Sequence, residues 1–401
     1  MIKENRKYIY IGTWGCDIQG DEREQPVQEG GIKTYRIKED DTFEFVGNAT
    51  PDVNAGIIHI SLDKQYLYAT DERKDFKGQY GNGGGVCAYR INQKNGTLEF
   101  INEVSSVGAY PCYIVTDYEN RYAFVSNHGN HDDVITKVEI NSKGGFKAVK
   151  VYDDGSIAMF PVRSDGSLGE CCDIKVLQGS SVNERYQRSP HPHSVWIDPS
   201  NRFLISGDKG SDNVLVYLID YSNGKLTELS GYQAIPGTGP RHIAFHPRLA
   251  VMYVNSEINS TVNVFQFDFE KGTMLHIDTV RTIPDPYTPP DPLDHFVDNF
   301  TADLRVHHTG KFLYVSNRGH NSIAAYQIDE NGKLTLIGFT PSNGQVPRAI
   351  NFDLNGDKLY AVNQRSGNIV QYHINTSTGE LISTGYELQL SNPVCIQFAE
   401  I

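Results

Sequence analysis

One short phrase that recurs seven times, tight-turn signals between the copies, and no convincing amphipathic helix between them predict an all-β chain folded as a seven-bladed propeller. The phrase runs apolar, aromatic, small, small, polar, and then one variable residue. Along the chain it reads IYIGTW (Ile9 to Trp14), LYATDE (Leu67 to Glu72), AFVSNH (Ala123 to His128) and LISGDK (Leu204 to Lys209). It continues as MYVNSE (Met252 to Glu257), LYVSNR (Leu313 to Arg318) and LYAVNQ (Leu359 to Gln364). Its final residues are spaced by 58, 56, 81, 48, 61 and 46 positions, which fits four-stranded blades carrying insertions.

Downstream of most copies stands a hairpin signal: Asn95-Gly96, Asp165-Gly166, Asn223-Gly224, Lys271-Gly272, Asn331-Gly332 and Thr378-Gly379. Asn-Gly and Asp-Gly favour the primed turns that match strand twist. The longest interval holds an extra turn at Lys143-Gly144-Gly145 and the polar stretch QGSSVNERYQRSP, and the interval before Arg318 holds PDPYTPPDPLDHF. The repeat resumes unchanged after each, so both read as ordered loops over one face of a single domain. The run Gly83-Gly84-Gly85 lacks the following helix and Lys-Ser/Thr of a phosphate loop and reads as a blade-edge turn.

A second signal precedes the phrase by 16 residues: Cys112 before His128, His193 before Lys209, Arg241 before Glu257, Ala302 before Arg318 and Arg348 before Gln364. In YPC, HPH, GPR and VPR the earlier residue follows a proline. The first copy starts too early to have such a partner, while SNPVCIQF (Ser391 to Phe398) resembles an opening strand with nothing after it. The two ends therefore share one blade, with Tyr8 to Ile11 in the same sheet as the strand near Val394, closing the ring and removing open edges.

Equivalent positions of different blades converge on the central channel. One set is Trp14, Glu72, His128, Lys209, Glu257, Arg318 and Gln364; the other is Gly56, Cys112, His193, Arg241, Ala302, Arg348 and Val394. Solvated channels need polar lining in any case, but Arg241, Arg318 and Arg348 at one mouth repel one another unless an anion or acid shares the site. His191 and His193, two apart on a strand, invite the same comparison: His191 reads as a structural neighbour and His193 as the functional one.

Composition narrows the field. The 401 residues are 39% hydrophobic and 11% aromatic, enough for a substantial core. The net charge of -13 argues against a nucleic-acid partner, and no apolar run reaches the roughly 18 residues of a membrane helix. Met1 to Gly15 holds no signal-peptide core, so the expectation is a cytoplasmic protein, monomer or homodimer, with reduced cysteines. Cys16, Cys87, Cys112, Cys171, Cys172 and Cys395 form no metal-ligand spacing; neither a metal nor a cofactor is expected. An anionic small-molecule ligand in so acidic a chain requires a locally basic site.

The stretches SPHPHSVWIDPSNRFLISGDKGSDNVLVY, GPRHIAFHP, LYVSNRGHNSIAAY and LYAVNQRSGNIVQY resemble the seven-bladed propeller lactonases, a family including bacterial 6-phosphogluconolactonases of the propeller type and fungal carboxymuconate lactonising enzymes. The resemblance spans nearly the whole chain. It implies a catalytic set of His193 in HPHS, Arg241 in GPRH, Glu257 in VNSE and Arg318 in SNRG. The acidic DIQGDEREQPVQEGG insertion of the first blade departs from the family pattern.

The expected reaction is hydrolysis of a sugar lactone, foremost 6-phosphogluconolactone. His193 is then the general base, Glu257 its orienting or charge-stabilising partner, and Arg241 and Arg318 the clamp on oxyanion or anionic group. Arg348, His128, Lys209, Glu72 and Gln364 are expected to complete substrate binding. The alternatives are a cycloisomerase moving a proton on a carboxymuconate-type acid with the same residues, and a non-enzymatic binding platform.

Overall fold

The structure, a computed structural model, describes residues 6–15, 29–287 and 298–401. Most of the first-blade acidic insertion, Cys16 and all but the first four residues of the stretch PDPYTPPDPLDHF lie outside the described residues. Seven four-stranded antiparallel sheets form the blades, and no helix is found among the described residues. The innermost strands are Ala55–Ile60, Pro111–Thr116, Pro192–Ile197, Pro240–Phe245, Phe300–Val306, Pro347–Phe352 and Pro393–Glu400. Each packs beside the innermost strands of both neighbours, so the ring closes.

Closure follows the expected route. Lys7–Thr13 pairs antiparallel with Pro393–Glu400, with Tyr8 opposite Ala399 and Ile11 opposite Ile396. The chain's last strand thus becomes the inner edge of the blade that its first strand continues.

The aromatic position of the phrase serves the packing between blades. Tyr10, Tyr253 and Tyr314 are fully buried, and each hydroxyl donates to a turn carbonyl of the next blade: Gly96 O, Gly332 O and Gly379 O, all at 2.9 Å. Each buries an apolar ring and satisfies its one polar atom. In these three blades the phrase Tyr and the next blade's turn glycine are two halves of one contact, whereas the Tyr68 and Tyr360 hydroxyls accept from Asn120 and Gln371.

The turns themselves differ from the primed hairpins expected. At Asn331-Gly332 only the glycine has positive φ, 82°, whereas a primed type I turn needs it at both central residues. Asp329 decides the shape: its Oδ1 accepts the N–H groups of Asn331 (2.9 Å) and Lys333 (2.8 Å), while Gly332 N–H donates to Asp329 O. An Asx-capped turn closed by a left-handed glycine results.

The long interval holds a whole extra hairpin, Ile135–Ile140 with Phe146–Val151, inserted between the second and third strands of its blade. A two-residue ribbon, Asp75–Phe76 with Gln79–Tyr80, is inserted likewise in the blade before it. Gly83 to Gly85 lead from that ribbon into the strand Gly85–Ile91, and Gly84 packs so closely on Pro111 that a side chain there would clash.

Candidate active site at the channel mouth

Every innermost strand carries a β-bulge at the same place. Pro192 faces Asp208 but Ser194 faces Gly207, so His193 is an extra residue in its ladder. The same slip falls at Cys112, at Arg348 and at Val394. It spans Gly56 and Ile57, Arg241 and His242, and Ala302 and Asp303 in the other three blades. A bulge leaves one residue unpaired and re-aims its side chain, and the preceding proline is tolerated because this strand's other edge faces the channel.

The small polar positions of the phrase support the bulges. Asn255 Oδ1 accepts His242 N–H at 2.7 Å, and Ser316 Oγ accepts Asp303 N–H at 3.0 Å. The 16-residue spacing also has a cause. The N–H of six of the seven phrase-final residues donates to the carbonyl two positions before the bulged residue: Trp14 to Asn392, Glu72 to Asn54, His128 to Tyr110, Lys209 to His191, Glu257 to Gly239 and Gln364 to Val346, while Arg318 reaches Phe300 O through its Nε. Both sets of side chains are thereby fixed at one end of the channel.

Glu257 is the centre of the cluster. Its Oε2 accepts from Arg241 Nε at 2.6 Å and lies 3.2 Å from Arg318 Nη2, while Oε1 takes Lys209 Nζ at 3.2 Å. Burial alone would push this carboxyl up; Lys209, Arg318 and Arg241 together outweigh it and hold the group well below the ordinary carboxylate range. A second carboxylate, Glu72, lies across the mouth with Oε1 3.4 Å from Arg348 Nη2, whose guanidinium stacks on Trp14 at 4.3 Å. Burial lifts Glu72 to about 7 against the pull of Arg348, Arg241 and Lys209. Four cationic side chains thus meet two carboxylates in a protein of net charge -13, which is the locally basic site an anionic ligand requires.

His193 differs from expectation in two respects. Its Nε2 is 4.0 Å from Glu257 Oε2, beyond hydrogen-bond reach, so the carboxylate anchors cations rather than orienting the imidazole. Burial, then the charge of Arg241, pushes the His193 pKa well below 6.5, which leaves the ring neutral with Nδ1 free of any hydrogen bond among the described residues. The other orphaned polar atoms at this mouth are Arg318 Nη2, His128 Nε2, Glu72 Oε2 and Trp14 Nε1. Buried polar groups are normally paired, so several unmet ones within one cluster mark where a ligand's polar atoms belong.

His191 is held as a structural neighbour, its backbone N–H donating to Asp208 at 2.6 Å and its Nδ1 2.7 Å from His128 O. Gln364 is buried at its equivalent position, and no side-chain hydrogen bond or ion pair joins it to the cluster among the described residues. Cys112 is buried with its thiol pushed up to about 12 by burial, so it is inert.

Several participants escaped the sequence reading. His131 bridges Lys209 Nζ and His191 Nε2, each at 3.1 Å, from the loop before the extra hairpin. Tyr186, in the polar stretch of the long interval, packs against His131 and Phe300 and sits 5.9 Å below Lys209 Nζ, so that loop does cover the mouth. Beneath the mouth Arg241 Nη1 reaches His242 Nε2 at 3.0 Å and His242 Nδ1 reaches Asp303 Oδ1 at 2.9 Å. Asp303 is paired in turn with Arg305 at 3.3 Å. His242 stands beside Arg241 in GPRH, a signal available in the sequence, and Asp303 holds the equivalent bulge position beside Ala302; His131 matches no repeat position. Further along the same strands Tyr113, Trp196, Arg305 and His59 line a cavity of about 110 Å³. Among the described residues no group of three or more His, Cys, Asp or Glu is arranged to hold a metal ion.

Comparison with known proteins gives a concordant result. The model of the family described as "Lactonase, 7-bladed beta-propeller" matches residues 10–398. The chain is 31% identical over 317 residues to the 6-phosphogluconolactonase of Bacillus subtilis strain 168, covering 79% of this chain and 80% of that protein. Among solved structures it superposes on a periplasmic gluconolactonase of Pseudomonas aeruginosa with a TM-score of 0.81 at 24% identity, covering 98% of this chain and 99% of the other, a likeness of fold. A Lactobacillus plantarum protein gives a TM-score of 0.78 at 25% identity over 98% of this chain and 100% of its own.

Proposed function

The chain belongs to the seven-bladed β-propeller lactonase family, and from that premise we propose that it hydrolyses 6-phosphogluconolactone at the channel mouth. The observation that carries this reading is the excess of buried cations over carboxylates around a neutral histidine with an unmet ring nitrogen. Water attacks the lactone carbonyl while His193 takes its proton. Arg241 and Arg318, already fixed by Glu257, stabilise the oxyanion that develops, at no reorganisation cost at the moment of reaction. Arg348 and Lys209 are the natural anchors of the phosphate, Arg348 through its planar fork. Tyr186 narrows the entrance on the His131 side.

The test is direct assay of the purified protein with 6-phosphogluconolactone and, separately, with 3-carboxymuconate, together with a soak of 6-phosphogluconate to see which cations meet its phosphate. Hydrolysis of the first above the spontaneous rate, with phosphate at Arg348 or Lys209, is expected. Conversion of carboxymuconate alone overturns the reading in favour of cycloisomerisation, and no conversion of either removes the catalytic assignment.

A further inference from the structure

We infer that Glu72 is a second proton-carrying residue of this site, the acid that protonates the departing ring oxygen; the inference rests on the hydrolytic reading above. Lactone hydrolysis has two proton problems. The attacking water must lose a proton, and the ring oxygen, expelled as an alkoxide, must gain one. His193 addresses the first; for the second two donors are at hand, the imidazolium so formed and Glu72, since Glu257 is committed to three cations, and the pH limb tested below separates them.

Glu72 has the geometry for the second. It is buried, 6% exposed, and its Oε1 is taken by Arg348 while Oε2 has no partner among the described residues. Oε2 occupies the space that a side chain at Gly56 would fill, and a Cβ there would clash with it. Gly56 is the bulge position whose counterparts in other blades are His193, Arg241 and Arg348. The missing side chain therefore lets the second blade present a carboxyl oxygen where other blades present a base or a guanidinium.

The groups facing Glu72 are Arg348 with its stacked Trp14, Arg241 and Lys209 from across the channel, the Cys112 and Cys395 thiols, and the preceding residue Asp71. Their balance with burial places the carboxyl near 7, so both protonation states are available at neutral pH. The step balances. Water's oxygen bonds to the carbonyl carbon as its proton passes to His193. The carbon to ring-oxygen bond then breaks as the Glu72 proton passes to that oxygen, leaving Glu72 ionised. The proton on His193 restores Glu72 through solvent, and the product departs as a carboxylate with one proton released.

Three measurements on the full chain test this. In the wild type, kcat for the lactone should fall as pH rises through about 7, where Glu72 loses its proton; a limb set by Arg318 would lie near 9. Glu72→Gln should lower kcat by roughly 10²- to 10⁴-fold with little change in KM and should erase that limb. Gly56→Ala, which keeps the carboxyl but evicts it from its place, should give the same kcat loss and decides the matter if the first variant does not fold. A variant within about threefold of wild type in kcat, a limb that survives Glu72→Gln, or a wild-type profile flat to pH 8 each overturns the role of Glu72 while the hydrolytic reading stands. A wild type inactive on lactones overturns both.

Discussion

In the proposed hydrolysis His193 is the base. As the base it should be indispensable: His193→Ala is expected to lower turnover by roughly two to four orders of magnitude. His191, bonded to Asp208 and His128, should answer differently, with His191→Ala lowering the midpoint of urea denaturation and leaving most of the turnover in the folded fraction. The sign of the acid limb follows from burial. Only the neutral imidazole accepts a proton, and burial beside Arg241 holds the His193 pKa well below 6.5, so activity should persist to clearly lower pH than a solvated histidine allows and vanish only below it. An acid limb centred at 6.5 contradicts a buried His193 base. Arg241→Met and Arg318→Met remove the proposed oxyanion donors; equal falls in kcat and kcat/KM would place their action in the transition state. Because Glu257 binds both guanidiniums, the two losses should add poorly, a coupling that a double-mutant cycle measures.

At the scale of the strand, the bulge converts a repeat into a site. Asn255 shows the dependence: its Oδ1 accepts His242 N–H and its Nδ2 donates to Ala302 O at 2.9 Å, clasping the bulges of two adjacent blades. Asn255→Ala leaves the buried His242 N–H unmet and Ala302 O to Arg241 Nη1 alone, so a loss of about 1–3 kcal/mol in denaturant-induced unfolding is expected, together with a fall in activity as Arg241 loses its frame. A variant of unchanged stability would mean that the bulge needs no such support. The same element marks how far the sequence could be read. The phrase and its 16-residue partner are spelled out in side chains, so the seven blades, the ring closure, and the placing of His193, Arg241, Glu257, Arg318, Arg348, Lys209 and Glu72 at one mouth were legible. The bulge is a slip of backbone register with no residue type of its own beyond the occasional proline, and it was not. Nor were His131 and Tyr186, which reach the site from irregular loops where no periodicity announces them. The roles within the cluster needed distances: only these show Glu257 saturated by cations and Glu72 left with a free oxygen.

At the scale of the whole molecule, the ring is as strong as its one non-covalent seam. Six blades are built from contiguous chain, whereas the seventh joins Lys7–Thr13 to Pro393–Glu400 across the full length of the sequence. Residues Tyr8 to Ile11 are all buried, and Trp14 supports Arg348 at the mouth. Deleting residues 1 to 14 therefore strips one side of the innermost strand near Val394, opens two sheet edges to solvent and removes a stacking partner of the site. Each blade packs on both neighbours, so the opening should spread: the truncated chain is expected to melt at markedly lower temperature and in a broader transition than the full chain, with the loss shared by all seven blades. Restoring the segment as a separate peptide should recover part of the melting temperature in a concentration-dependent way, since it binds the folded ring and not the unfolded chain. An unchanged melting curve after truncation would show that the ring holds without its seam, because an open propeller then buries enough of each blade against its neighbours to stand alone.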